Sequence, residues 1–293
     1  MGVGWFEERA GLDGTVALIT GGAGGLGEGI ALDLAANGVR VAVIDIDGDA
    51  ADRLRTALDE LGREAVVHHG DVRDADALTA LFTAVDERWG RLDTLVNVVG
   101  GTFRAPFTDT TPKGWNAIIR ANLLHVLHAC SLAVPRMRAG GGGGSIVNIT
   151  TIEAHRAAPG FAVYTAAKAA VEQFARTLAV EVAPDGIRVN NIAPDYTPTP
   201  NLAKAGGGGD DPMSDPAGVR VAIPMGRAGR IRDISGCAVF LASALSSYVT
   251  GTTLHPDGGT FASSGWFNWP DAGWANHVPA DVLHPSAPHD EGR

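Results

Sequence analysis

A doubly wound α/β fold, with a parallel sheet and helices on both of its faces, is what this 293-residue sequence predicts. Three observations carry the prediction. From Thr15 to Val147 short β-branched apolar runs alternate with longer helical patterns, beginning TVALIT, then an Ala/Leu-rich helix, then VRVAVID. Alternation of this kind is the mark of βαβ units. The strand candidates are apolar throughout, as strands buried on both faces must be. Between the first strand and the first helix of the series lies a glycine cluster, Thr20-Gly21-Gly22-Ala23-Gly24-Gly25-Leu26-Gly27.

Further strands are expected at Ala65 to His68, Thr94 to Asn97, Ser145 to Ile149, Ile187 to Asn191 and Thr252 to His255, with helical segments in nearly every gap. Gly140 to Gly144 reads as a flexible turn before a strand. Two stretches break the rhythm. Thr197 to Val221 carries four prolines and the run GGGGDDP, which suits a mobile loop over a site. From Gly265 onward the chain is rich in Trp, Pro, His and Asp without a period, so a single domain over residues 1–264 is expected to end in an irregular tail, 265–293.

Composition narrows the classes. Lys plus Arg is 23 and Asp plus Glu is 33, a net charge of -10 with no basic tract, which argues against a nucleic-acid surface. Cys130 and Cys237 sit far apart in apolar stretches and read as buried thiols of a cytoplasmic protein. The N-terminus has acidic residues where a signal peptide needs a basic and then an apolar region. No uninterrupted apolar run is long enough to span a bilayer, so no membrane partner is expected. His68, His69, His125 and His128 give no convincing metal set, and the sequon Asn148-Ile149-Thr150 falls in a strand expected to be buried.

The glycine cluster carries the first functional reading. Without side chains the backbone can approach a pyrophosphate at the helix N-terminus, although a glycine cluster alone can be a plain turn. Asp45 ends the next strand about 20 residues on, where a carboxylate can accept hydrogen bonds from both ribose hydroxyls. No Arg or Lys stands in the turn or beside Asp45 to offset its repulsion of a 2′-phosphate, which favours NAD over NADP; the alternative is a solvated turn residue. Asp71, after another strand, is either an acceptor for the adenine amine or a turn cap.

Tyr164 and Lys168 supply the second reading. They are four apart in VYTAAKAAVEQFARTLAVEVA, so a helix puts both on one face. An ammonium a few ångströms away would favour the phenolate of a phenol that ordinarily titrates near ~10. Taken alone, such a pair also occurs on ordinary helix surfaces. The preceding strand ends in Thr150 and Thr151, hydroxyls at the carboxyl edge of the sheet where ligands bind in open α/β folds.

Together, the turn at Thr20 to Gly27, the Asn97 and Gly100 pair and Tyr164-x-x-x-Lys168 resemble the short-chain dehydrogenase/reductase family. The similarity continues through Arg188-Val189-Asn190-Asn191-Ile192-Ala193-Pro194 and SSYVTGTTLHPDGG, covering nearly the whole chain. The resemblance implies a Rossmann-like sheet, a nicotinamide cofactor and an Asn, Ser, Tyr, Lys catalytic set. Asn122, Tyr164 and Lys168 match three of these. Thr151, 13 residues before the tyrosine, stands where the family usually has serine, and keeps the hydroxyl while adding a methyl. Cofactor contacts are expected from Gly21, Gly25, Leu26, Gly27, Asp45, Asp71, Val72, Asn97, Gly100, Tyr164, Lys168, Pro194, Thr197 and Thr199, the last matching the threonine that holds the nicotinamide carboxamide. Val98 and Val99 replace the usual Asn and Ala. Asp195 replaces a usual glycine, as an extra charge near the nicotinamide end or as a turn residue bonding its own backbone.

The implied chemistry is hydride transfer between NAD(H) and a secondary alcohol or ketone. Tyr164 exchanges the proton, Lys168 holds the phenolate and ribose, Thr151 steadies the oxygen, and Asn122 kinks its helix and holds a water. Thr102, Phe103, Phe107, Phe161 and Tyr196 outline a mostly apolar pocket, which fits a bulky hydrophobic small-molecule substrate of sterol, terpenoid or hydroxyacyl type. Glu153, His155 and Arg156 are either recognition groups for a polar end or solvated loop residues. A homo-oligomer, dimer or tetramer, is expected, with Trp266, Trp269 and Trp274 either closing the pocket or meeting a neighbouring subunit. The competing readings are a 3-oxoacyl thioester reductase, which Asp45 opposes because biosynthetic reduction draws on NADPH, and an NAD-binding sensor or scaffold without turnover, which Thr151 favours.

Overall fold

In the computed structural model, which describes residues 4–200 and 215–283, seven parallel strands form one sheet in the order β3-β2-β1-β4-β5-β6-β7. They are β1 (Val16–Thr20), β2 (Arg40–Asp45), β3 (Ala65–His69), β4 (Thr94–Asn97), β5 (Gly144–Ile149), β6 (Ile187–Ile192) and β7 (Thr253–Leu254). Each of the expected strands is present, within a residue or two at its ends. Helix α1 (Trp5–Ala10) precedes the sheet, and α2 (Gly25–Ala36), α3 (Gly48–Glu60), α4 (Ala75–Trp89), α5 (Pro112–Ile119), α6 (His125–Gly140), α7 (Ala162–Val182), α8 (Pro216–Ala222) and α9 (Ile231–Ala242) follow.

The apolar strands divide their side chains between two cores. Val16, Leu18, Ala42, Ile44, Leu95 and Ile146 join α4, α6 and α7 on one face, through Leu81, Phe82, Ala129 and Ala175. Ala17, Ile19, Val41, Val43, Val96 and Val147 join α2, α3 and α9 on the other, through Leu34, Leu54, Ile234 and Ala238. That two-sided burial is why these strands lack a polar face. The sheet reverses direction of growth between β1 and β4, and ligands of open α/β sheets bind at the strand ends beside such a switch.

One polar line crosses the sheet. Asn97 donates to Asn148 at 2.9 Å, Asn148 to Asn191 at 3.1 Å, and Asn191 to Thr253 at 3.2 Å. Each bond joins direct cross-strand partners, so the line runs straight over β4, β5, β6 and β7. Asn148 is wholly buried, which removes it as a glycan acceptor in the folded chain.

Two expectations need correction. The stretch from Gly265 is not irregular throughout: Phe267–Trp269 and Gly273–Ala275 form an antiparallel hairpin, too short for a period-2 pattern to appear in sequence. The loop expected over Thr197 to Val221 includes α8, capped by Asp215, whose side chain accepts from the Ala217 N–H; residues 201–214 lie outside the described part. The helical run Pro112–Gly140, in which α5 and α6 join without a break, matches a membrane span in length and mean hydropathy, but polar residues such as Arg120, Asn122, His125 and His128 interrupt it, in keeping with the expectation that no uninterrupted apolar run spans a bilayer. In this fold 44% of its most apolar window is buried in the protein. Cys130 and Cys237 are both free thiols, as the sequence leads one to expect.

The asparagine line generates a stability test. Asn148→Ala leaves Asn97 without its acceptor and Asn191 without its donor in a dry sheet, which should cost about 2–4 kcal/mol. Thermal unfolding should show the melting temperature falling by roughly 4–10 °C.

Candidate active site

The glycine turn is built for close backbone approach. Gly25 opens α2 with φ +54°, in the left-handed region. A Cβ on Gly27 would lie 1.9 Å from the Gly21 carbonyl oxygen, so only glycine lets α2 pack this tightly on the turn. A Cβ on Gly24 would meet nothing within 4 Å, so that side of the turn is open. The N-terminus of this 12-residue helix carries no side-chain cap, an arrangement able to take an anion such as phosphate. Thr199 brackets it from above, with Cβ and Cγ2 3.3 Å from where a Gly25 Cβ would stand.

Asp45 joins the turn from the end of β2. Its carboxylate accepts the Ala23 N–H at 3.0 Å and the Asp47 N–H at 3.1 Å. One bond per oxygen leaves lone pairs for a diol. Among the described residues no cation pairs with it. Asp71 is engaged differently: Arg73 grips both its oxygens at 2.7–2.9 Å and the Arg73 N–H donates to it at 2.8 Å, which holds its carboxyl below the ordinary range. The turn-cap reading of Asp71 is thus realised. Val72 beside it is buried.

The polar centre lies where β5 ends against α7. Two successive residues of the strand end are each held by one residue of a helix stripe spaced by four. Lys168 donates to the Ile149 carbonyl at 2.9 Å. The Thr150 hydroxyl donates to Glu172 at 2.8 Å. The Tyr164 phenol lies near enough to the Thr151 hydroxyl to be influenced by it. Across the cleft α5 passes into α6 through a π-helical turn, Arg120–Leu124, which places Asn122. The Asn122 amide donates to Ile118 at 2.9 Å and to the Gly101 carbonyl at 2.7 Å, and accepts the Gly101 N–H at 3.2 Å. It thereby satisfies backbone groups that the wider turn releases. A Cβ on Gly100 would lie 2.9 Å from Asn122 Oδ1 and 3.0 Å from Lys168 Nζ, so these two groups meet over that glycine.

The electrostatics differ from the sequence expectation. Lys168 does not make Tyr164 acidic. Burial pushes the phenol up to about 12, the Glu153 charge pushes it the same way, and only the Thr151 hydroxyl opposes them. The amine itself is bonded to Ile149, and burial brings it down to about 8. Helical spacing puts the two side chains on one face; it does not fix where their tips go.

Glu153 is where the sequence reading left alternatives open. The short 3-10 turn Ile152–Ala154 folds it back so that the Thr151 hydroxyl donates to Glu153 Oε2. Its other oxygen pairs with Arg156 at 2.9 Å, and Arg156 reaches Asp195 at 3.4 Å. Burial raises the Asp195 carboxyl, with Arg156 and a Thr260 hydrogen bond pulling the other way. Glu172 was not singled out by sequence, although it continues the four-residue spacing of Tyr164 and Lys168; it is 2% exposed and 2.9 Å from His155.

Other expected contacts scatter. The Pro194 carbonyl accepts from Ile152 and ties its segment to Thr151. Thr197 is buried, its hydroxyl donating to the Asp195 carbonyl at 3.2 Å. Phe103 turns its ring to Gly114 of α5, and Phe107 stacks on Trp115 at 5.4 Å. Phe161 caps α7 and is partly buried, as is Tyr196. Asn97 Oδ1 is buried without a partner among the described residues, the remaining acceptor of the asparagine line.

Comparison with known proteins converges on this architecture. Residues 21–260 match the family described as enoyl-(acyl carrier protein) reductase. D-threitol dehydrogenase of Mycolicibacterium smegmatis is 36% identical over 251 residues, 85% of this chain and 93% of that protein. A short-chain type dehydrogenase/reductase from Mycobacterium marinum superposes with TM-score 0.78 at 30% identity, covering 86% of this chain and 98% of that one. A 7α-hydroxysteroid dehydrogenase in complex with NADH and 7-oxoglycochenodeoxycholic acid superposes with TM-score 0.80 at 31% identity, covering 86% and 96%.

Lys168 generates a test with a defined sign. Its folded value near 8 lies below the ordinary 10.5, so the folded chain releases a proton that the unfolded chain keeps between those values. The desolvation penalty is therefore full below pH 8 and shrinks as pH rises toward 10.5. Lys168→Met, measured without cofactor, should melt about 2–6 °C above the parent at pH 7, corresponding to about 1–2 kcal/mol, and the gap should narrow above pH 8.

Proposed function

The chain belongs to the short-chain dehydrogenase/reductase family, and from that premise we propose that it moves a hydride between NAD(H) and a secondary alcohol or ketone. The observation that carries this reading is the Lys168 amine and Asn122 amide gathered over Gly100, with the Tyr164 phenol buried near the Thr151 hydroxyl. When bound, the nicotinamide supplies the hydride acceptor in oxidation and the donor in reduction. Tyr164 holds its proton at neutral pH, so it serves reduction directly as the general acid toward the carbonyl oxygen. Oxidation needs the phenol to lose its proton first, which rising pH favours; the phenolate then takes the alcohol proton, and Thr151 donates to the same oxygen. Of the three donors on Lys168, one is used by Ile149 among the described contacts, leaving two for ribose hydroxyls and the phenol. Asn122 fixes the Gly100–Gly101 corner against which the reacting ring would lie.

The preference for NAD rests on Asp45, a carboxylate held by the glycine turn with no described cation to neutralise it. The same charge weighs against a 3-oxoacyl thioester reductase drawing on NADPH. Exposed Phe103 and Phe107 support an apolar wall for the body of the substrate on the α5 side. Two free thiols accord with a cytoplasmic enzyme, and the exposed Trp266 and Trp274 offer a contact for further copies of the chain in a homo-oligomer.

Two measurements test the reading. Tyr164→Phe should lower turnover about a thousandfold or more while the NAD dissociation constant stays within about twofold; an unchanged rate overturns the assignment. In the parent, kcat/KM should favour NAD over NADP by about a hundredfold or more with any one substrate, and Asp45→Ala should reduce that ratio at least about tenfold.

A further inference from the structure

Thr151 has one hydroxyl proton, and in this structure Glu153 takes it. On the reading above, the same proton must turn to the reacting oxygen when substrate binds. Glu153 Oε2 then loses its donor when substrate is bound beside it. The side chain is 23% exposed and its second oxygen is already committed to Arg156 at 2.9 Å, so the carboxylate cannot swing away without breaking that pair. An acceptor stripped of its donor costs binding unless the ligand replaces it.

The position of Oε2 decides what the replacement must be. The carboxylate oxygen is one hydrogen bond from Thr151 Oγ1, the hydroxyl that the proposed chemistry turns to the reacting oxygen, so it borders the point where a carbinol oxygen would sit. A group on the carbon next to the reacting one reaches that border. It must donate a hydrogen bond, and it cannot be an anion, because Glu153 and Asp195 flank the single Arg156 guanidinium.

We infer that Glu153 is the specificity-determining residue of this site and selects substrates with a hydroxyl on the carbon adjacent to the reacting carbinol: vicinal diols in oxidation and α-hydroxyketones in reduction. The inference rests on the proposed hydride transfer and adds the substrate class to it. In oxidation the C–H bond of one carbinol breaks with its electron pair passing to NAD, its O–H proton goes to the Tyr164 side chain in its phenolate form, and a C=O bond forms. The neighbouring hydroxyl donates to Glu153 and is unchanged.

The test compares butane-2,3-diol and cyclohexane-1,2-diol with their monomethyl ethers, which keep the electron-withdrawing oxygen and lose the donor. With the NAD-loaded full-length protein, kcat/KM for each diol should exceed that of its ether by about 10- to 100-fold. Glu153→Ala should bring this ratio close to one, and Glu153→Gln, which keeps an acceptor oxygen, should restore part of it. A binding arm uses Tyr164→Phe loaded with NAD, where calorimetry reads affinity without turnover; the diols should again bind more tightly than the ethers. Equal values for diol and ether in both arms, no detectable diol binding, or a preference that survives Glu153→Ala overturns the inference. Should Tyr164→Phe keep its turnover, the hydride-transfer assignment fails instead, and the diol preference of the binding arm still decides the role of Glu153.

Discussion

Lys168 keeps an amine where water does not reach, and much of the surrounding structure is arranged around the cost of holding it there. The amine is oriented by a strand carbonyl, faces an asparagine amide and has a glycine beneath it. Had the chain needed only a stable helix on a stable sheet, an apolar side chain at this position would serve better. The chain retains instead a group that destabilises the fold and is chemically ready, which is the ordinary signature of a site under functional demand.

The stripe that carries this amine also explains how a strand end becomes a rigid platform. Residues 149 and 150 are held by Lys168 and Glu172, so the end of β5 cannot shift along α7 without breaking two polar contacts. Behind it the asparagine line fixes β4, β5, β6 and β7 at one level, and its last unpartnered oxygen, on Asn97, lies at the carboxyl edge of the sheet. Register in a parallel sheet is usually set by apolar side chains alone; here a row of amides sets it as well.

The sheet could be read from sequence because each strand is buried on both faces and announces itself as a continuous apolar run. The phosphate turn and the Tyr164 and Lys168 spacing were legible for a similar reason: both are local patterns of a few residues. What could not be read depended on where side-chain tips end. The four-residue spacing implies that the ammonium acidifies the phenol, whereas Lys168 bonds to Ile149 and the charge that acts on Tyr164 is that of Glu153. Glu153 itself was one of three charged loop residues with no rank among them, until the turn after Thr151 folded it back. The hairpin after Gly265 was missed because strands of three residues carry no period, and Trp, Pro and Asp there look like irregular chain.

Gly100 shows how tightly such a centre is closed. Space above its Cα is shared by an amide and an amine that come from different helices, at 2.9 and 3.0 Å from where a methyl group would be. Even alanine would have to displace both, so its effect would spread to the π-turn through Asn122 and to the end of β5 through Lys168. A side chain at position 100 would therefore press on the scaffold and on the chemistry together.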